Sequence, residues 1–217
     1  DWFAESYRPA FMQTYNLSLS KGSKDHVSSL SFNFLDQDGT LKNTDYTSFG
    51  TRYNTEYRFF NNRLKIGESL NLTYWTQHKK PRGYEAIERQ ILAQHPAQAV
   101  YASDGSYAGS DVDLLGSRQN LVRYLDNEAG NIFKSWRIFG NAYIDIQPIQ
   151  NLTLRSTFGV NYNPNYSNEF TPAWDEHTRS YAESALSINQ TDNLEWVWTN
   201  TASYSLNKGV HSATFLL

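Results

Sequence analysis

Residues 64–75 read LKIGESLNLTYW, a stretch in which apolar and polar side chains alternate. Successive side chains of a β-strand point to opposite faces of its sheet, so this stretch predicts a strand with one apolar and one polar face. The same alternation is present in seven further segments bounded by turn residues: 11–20, 27–34, 48–59, 136–146, 152–162, 193–204 and one that begins near 211. We therefore predict an all-β protein with about eight strands.

The predicted connections alternate strictly in length. Short ones fall at 21–25, 61–63, 147–151 and 207–209, and long ones at 35–47, 76–132 and 163–191. This alternation predicts an antiparallel, up-and-down sheet with tight turns at one end and large loops at the other, which is typical of transmembrane β-barrels. Most predicted strands are long enough for the roughly 9–11 residues that a tilted strand needs to cross a bilayer.

Composition narrows the class of protein further. The 217 residues include 15 Tyr, 12 Phe and 6 Trp but no Cys, and the formal net charge is −3. The missing cysteines exclude a disulfide scaffold and a thiol nucleophile, and the negative charge argues against nucleic acid as a partner. No apolar stretch approaches the roughly 18 residues of a membrane-spanning helix. Abundant aromatic residues favour a barrel with aromatic belts, to which Tyr74 and Trp136 would belong.

The alternation leaves two architectures open, a membrane barrel and a soluble β-sandwich that binds carbohydrate. In the barrel the apolar face contacts outer-membrane lipid and the polar face lines a hydrated lumen, and we assign to that lumen Arg52, Asn54, Glu56, Arg58, Arg137 and Arg155. Glu68 and Asn200 have the apolar parity of their strands. Either a β-bulge shifts the register there, or these positions contact protein.

Several stretches resemble the SusC/RagA family of TonB-dependent outer-membrane transporters. The most specific is 34–46, FLDQDGTLKNTDY, which follows QTYNLSLSKGS at 13–23. The similarity continues through TRYN at 51–54 and FNNRLKIG at 60–67, and returns at PAQAVYASDGSY (96–107) and YSLNK (204–208). It covers about the first 75 residues well, and the rest mainly through the rhythm of the strands.

The resemblance implies a barrel of about 22 strands that encloses an N-terminal plug. It also implies a SusD-like surface lipoprotein as partner, TonB as the source of energy through the plug, and oligosaccharides or peptides as cargo. We expect residues 1–217 to be a slice of such a barrel in the outer membrane, without the plug and the remaining strands, and to be no enzyme.

The loops supply the candidate sites. Aromatic side chains in 163–191 would stack on cargo or pack the loop on its neighbours, and they are Tyr166, Phe170, Trp174 and Tyr181. Asp104, Asp111 and Asp113 suggest a Ca²⁺ site, although an ordinary polar loop is favoured. Asp175, Glu176 and His177 suggest acid–base chemistry and hence an alternative as a small outer-membrane hydrolase. Residues 84–95 have helical spacing and end before Pro96.

Overall fold

The computed structural model describes residues 1–79, 87–109, 118–176 and 179–217. Within these ranges there are three short helices, α1 (Trp2–Ser6), α2 (Ile87–Ala93) and α3 (Leu121–Glu128). The long strands are β1 (Met12–Gly22), β2 (His26–Asp38), β3 (Asp45–Phe59), β4 (Leu64–His78), β5 (Phe133–Ile149), β6 (Leu152–Tyr162) and β11 (Leu194–Lys208). The shorter ones are β7 (Asn165–Thr171), β8 (Trp174–Asp175), β9 (Ser180–Tyr181), β10 (Ala185–Thr191) and β12 (His211–Leu216).

Eight of these strands form one continuous antiparallel sheet in the order β1-β2-β3-β4-β5-β6-β11-β12. Strands that are neighbours in this order are also consecutive along the chain, apart from the excursion between β6 and β11. The predicted all-β, up-and-down architecture with about eight strands is therefore confirmed. β1 and β12 each pair on one side only within the described residues.

The strands are longer than the alternation alone indicated, so the connections are shorter. β2 and β3 reach into the segment that we expected to be a loop at 35–47, leaving only 39–44 between them. The predicted loop 163–191 contains a hairpin of its own, formed by β7 and β10, which we call the second hairpin. The first residues of β7 also pair with the first residues of β5. The tip of the second hairpin carries the two-residue strands β8 and β9.

Tight turns close the opposite end of the sheet. The turn between β3 and β4 places Phe60, Asn61 and Asn62 at positive φ, and Asn151 has a φ of 68° between β5 and β6. Asparagine tolerates the left-handed region better than most residues because its short side chain bonds to nearby backbone. These turns explain why the short connections of the sequence are rich in asparagine.

The apolar face of the sheet is exposed. Trp196 and Trp198 in β11 are 66% and 64% exposed, and Leu17 in β1 is 56% exposed. With β7 and β10 the sheet has ten strands, and the other sheet among the described residues is the two-stranded β8–β9 pair. Within those residues, no second layer of comparable size therefore covers the apolar face. The described residues therefore do not form the alternative architecture, a β-sandwich.

Aromatic side chains meet across this apolar face near the long-loop end. Tyr15, Phe34, Phe49, Tyr74 and Trp136 occupy one line of directly opposed positions through β1 to β5. The Tyr74 and Trp136 ring centroids are 4.7 Å apart. Both residues that we assigned to an aromatic belt therefore lie in this line, and their location at a membrane interface stays a prediction.

The two polar residues of apolar parity stay on the apolar face. Glu68 lies directly between Thr55 of β3 and Ala142 of β5, and the register is unbroken on both sides. Asn200 lies opposite Ser156 without a register shift. The explanation by a β-bulge is therefore wrong for both positions, and the register shift between β5 and β6 lies elsewhere, between Ile146 and Ile149.

The hydrophobic core lies at the long-loop end rather than on the sheet. It is built from the three helices and the connection between β2 and β3, and consists of Trp2, Leu41, Ile87, Ile91, Leu121, Val122 and Leu125. α2 confirms the helical spacing within 84–95, whereas α1 and α3 were not predicted. Among the described residues, no helix has both the length and the apolar character needed to cross a membrane.

Candidate functional site

The polar face carries a connected network of charged side chains near the tight-turn end. The Tyr143 hydroxyl in β5 donates a 2.6 Å hydrogen bond to Glu56 Oε2 in β3, two strands away. Glu56 Oε1 accepts a second bond of 2.6 Å from Arg58 Nε. The Tyr143 ring spans β4 at Gly67, where an added Cβ would lie 2.4 Å from the ring. Gly67 is therefore what allows Tyr143 to reach Glu56.

The network continues to β6 through an ion pair. Arg155 Nε and Nη2 bond to the two carboxylate oxygens of Asp145 at 2.5 and 2.6 Å. The same guanidinium lies 4.8 Å from the centre of the Tyr143 ring. Such a two-pronged pairing fixes the planar guanidinium in one orientation. The five side chains thus form one chain of contacts across β3 to β6.

The other residues assigned to a lumen also lie on this polar face. Asn54 bonds to Ser29 and Ser69 on the two neighbouring strands. Arg52 lies opposite Asn71, and Arg137 lies 5.9 Å from the Phe139 ring of its own strand. The sequence therefore placed these three side chains on the correct face of the sheet. It stays a prediction that this face lines a lumen.

A buried ion pair joins the second hairpin to α3. Glu176 Oε1 accepts from Arg123 Nε at 2.6 Å and from the Asn120 backbone N–H at 2.9 Å. The side chains of Arg123 and Glu176 are 3% and 0% exposed. Removing one partner of such a pair leaves a buried charge without compensation. This contact therefore holds the tip of the hairpin against the helical core.

The four candidate aromatic residues of this hairpin have different surroundings. Trp174 stacks under the Arg123 guanidinium at 3.8 Å and pairs with Tyr181 across the β8–β9 ladder. Tyr166 lies opposite Lys134 and Phe170 opposite Leu186. One face of Trp174 is therefore occupied by protein, whereas Tyr181 and Phe170 are exposed. Binding of cargo by these rings stays a prediction.

Asn120 and Asp126 organise the helical core around α3. Asn120 caps the helix by accepting from the backbone N–H groups of Val122 and Arg123, and its amide donates to two carbonyls of the preceding loop. Asp126 accepts a 2.7 Å bond from the Tyr107 hydroxyl. Burial and this bond raise the pKa of Tyr107 to about 12, so its phenol remains a hydrogen-bond donor at neutral pH.

The suggested metal and acid–base sites gain no support. Asp104 accepts from the backbone N–H and hydroxyl of Ser106, which makes a local turn. Asp111, Asp113 and His177 lie outside the described residues. Within the described ranges, no group of three or more His, Asp or Glu side chains is placed to hold a metal ion. Glu176, the central residue of the suggested acid–base triplet, instead pairs with Arg123.

Sequence reasoning missed Arg123 as a partner of the hairpin. It is 53 residues from Glu176, and a single arginine in a short amphipathic helix carries no signal of its partner. The Asn120 cap followed by apolar Leu121 and Val122 was a usable sign of a helix start. The Tyr143–Gly67–Glu56 contact likewise follows from the register of three strands, which alternation alone does not define.

No family model matches this chain. The chain is 28% identical over 211 residues to the TonB-dependent receptor P26 of Formosa agariphila, a match that covers 96% of this chain and 21% of that receptor. The RagAB peptide importer in its open-open state aligns with a TM-score of 0.80 and 19% identity, and its closed-closed state with 0.77 and 20%. The resemblance to SusC/RagA-type TonB-dependent receptors is confirmed.

The chain aligns with only part of each of these proteins. Each RagAB alignment covers 100% of this chain and 24% of the aligned one. The chain thus spans about a fifth of the curated receptor and about a quarter of the RagAB chains. At this identity the RagAB comparison establishes the fold alone, which is that of an antiparallel barrel segment.

Proposed function

We propose that this chain forms part of the barrel wall and extracellular loops of an outer-membrane TonB-dependent importer. One observation carries the proposal: the apolar face is exposed along the sheet, while the opposite face holds the charged network. A soluble protein rarely leaves so large an apolar surface uncovered. In a bilayer the same surface contacts acyl chains, and the charged network faces water.

The length of the strands and the open edges of the sheet support a membrane barrel. β1 to β6 have 11 to 17 residues each, which exceeds the mean strand of soluble sheets. Open sheet edges do not occur in lipid, because unpaired backbone groups there lack hydrogen-bond partners. The exposed edges of β1 and β12 would therefore pair with further strands of a barrel of about 22 strands, and residues 1–217 would be one portion of it.

The long-loop end would contact partner and cargo. RagAB, which has this fold, is named a peptide importer, and a SusD-like lipoprotein would cover the corresponding loops here. The helical core and the second hairpin provide a rigid surface for such a contact. Oligosaccharides or peptides would be the cargo, with Tyr181 and Phe170 exposed for stacking. TonB would act through a plug, and this portion would transport rather than catalyse.

The proposal is tested with the full-length receptor in its native cells. Uptake of fluorescent oligosaccharides and peptides is compared in wild-type cells, in a receptor deletion and in a strain without TonB. We expect uptake of one cargo class to fall to background in both mutant strains and to return with the wild-type receptor. Uptake that is independent of TonB, or a receptor that fractionates without membranes, would contradict the proposal.

A second measurement addresses the lipoprotein. An affinity-tagged receptor is purified in mild detergent, with a variant lacking 165–191 as the comparison. We expect a surface lipoprotein to co-purify with the wild type and to be depleted from the variant. Lys24→Ala, in the turn between β1 and β2 at the tight-turn end, is the control and should retain the partner. Equal recovery from all three proteins would refute a loop-mediated contact.

A further inference from the structure

A cavity of about 280 Å³ lies at the long-loop end between β4, α3, β5 and β7. Its wall is predominantly polar and includes Lys79, Tyr124, Glu128, Phe133 and Glu169. The volume is just below the roughly 300–1,000 Å³ of pockets that take drug-sized ligands. The cavity therefore suits one functional group at the end of a larger molecule.

Two of the polar residues in the wall are engaged in holding it together. The Asn131 side chain donates to Glu128 Oε2 at 2.7 Å and accepts from the Phe170 backbone N–H. Asn168 accepts from the Ile132 N–H and donates to the Gly130 carbonyl. These bonds connect the start of β5 to β7 and fix the shape of the cavity. Glu128 accepts one of these bonds and, with Lys79 and Glu169, provides the charged groups that would recognise a ligand.

The protein itself places an ammonium group in this wall. Lys79 Nζ lies 3.5 Å from the centre of the Phe133 ring, a distance typical of a favourable cation–π contact. Glu128 and Glu169 line the same space and supply carboxylate oxygens, which form strong charge-assisted bonds with an ammonium. An aromatic face combined with two carboxylates is a setting that favours a compact cation.

We propose that this cavity binds a primary ammonium group of the cargo, in competition with Lys79. The inference rests on the proposed import function and names the chemistry of the imported molecule. A carboxylate end would face two anionic side chains, and a neutral sugar would find the ring of Phe133 covered by Lys79. Lysine-containing peptides and glucosamine oligomers both present the required group, and the experiment separates them.

The experiment measures binding to purified full-length receptor by NMR saturation transfer. The first probe is the peptide Ala-Lys-Ala with blocked ends, so that the lysine side chain carries its single ammonium, and its partner has that amine acetylated. The second pair is the glucosamine trimer and its N-acetylated form. Each is titrated against wild type, a Glu128→Gln, Glu169→Gln double variant, and Glu183→Gln, a control in the same hairpin outside the cavity.

We expect one amine probe to bind and its acetylated partner to bind at least about tenfold more weakly, which corresponds to losing a charge-assisted bond. The double variant should bind the amine probe more weakly by a similar factor, and Glu183→Gln should bind it as tightly as the wild type. Lys79→Met should increase affinity several-fold because it removes the competing ammonium. Binding by only one of the two amines identifies the source.

Other results overturn the inference. Equal binding of acetylated and free probes, an unchanged affinity in the double variant, or no binding of either amine would each do so. Retained heat-modifiable mobility on gels shows that the double variant is folded. Failure of the import function is distinguishable, because uptake would then be lost or independent of TonB while binding of the amine probe persisted.

Discussion

Replacing Gly67 by Ala should destabilise the receptor by displacing Tyr143. The added Cβ would lie 2.4 to 2.5 Å from three atoms of the tyrosine, whereas ordinary contacts are about 3.5–4.0 Å. The ring must therefore rise by about 1 Å, which breaks its 2.6 Å bond to Glu56 and moves it against the Arg155 guanidinium.

The magnitude follows from the interactions lost and gained. A hydrogen bond to a charged group contributes about 1.5–3 kcal/mol, and an exposed cation–π contact about 0.5–1 kcal/mol. Alanine recovers about 0.5–1 kcal/mol because glycine loses more backbone entropy in a strand. Since the network is partly solvated, we expect a net loss of about 1–2 kcal/mol.

The assay is urea unfolding of the full-length receptor in lipid vesicles. Gly22→Ala is the matched control, because it lies in a strand and an added Cβ there meets nothing within 4 Å. In a Tyr143→Ala background the Gly67 substitution should become slightly stabilising, by the same about 0.5–1 kcal/mol of backbone entropy that Gly22→Ala gains, since the ring is already absent. If Gly67→Ala is as stable as Gly22→Ala in the wild-type background, the proposed role of the glycine is wrong.

Three further predictions concern the loops. Glu176→Gln should release the second hairpin from α3, because it leaves Arg123 buried without its counter-charge, and should lower the stability of this contact by about 3–5 kcal/mol. Limited proteolysis within 163–191 should then be faster, and an unchanged rate of cleavage would contradict this. Folding raises the pKa of Tyr107 from its ordinary value of 10 to about 12. Its contribution to stability is therefore complete below pH 10 and is lost between pH 10 and 12. Tyr107→Phe should abolish this part of alkaline unfolding. Tyr181→Ala should weaken cargo binding more than Trp174→Ala, measured by titration, because only Trp174 stacks on Arg123; the reverse order would refute it.

Much of the sheet was predictable from the sequence, because the alternation of side chains along a strand is a local property of each segment. The parity of 64–75 assigned Lys65 and Asn71 to one face and Ile66 and Leu72 to the other, and the register of β4 agrees. The alternation of short and long connections also gave the order of the strands, since antiparallel neighbours joined by tight turns must be adjacent. Strand ends were less predictable, because pairing extends them into the loops.

The loop end was much less predictable. α1 has five residues and α3 has eight, and such short helices depend on tertiary packing more than on intrinsic propensity. Their apolar residues meet from positions as distant as Trp2, Ile87 and Leu125. No local pattern indicates that these three side chains share one core.

The sequence by itself determined that this chain forms an antiparallel sheet with one apolar and one polar face, because apolar and polar side chains alternate along the strands. The tertiary structure alone decided which side chains act together. Tyr143 reaches Glu56 only because two registers place Gly67 between them, and Glu176 finds Arg123 only after the hairpin folds onto α3. Contacts of this kind depend on the relative position of distant segments, which residue type and spacing along one strand do not specify.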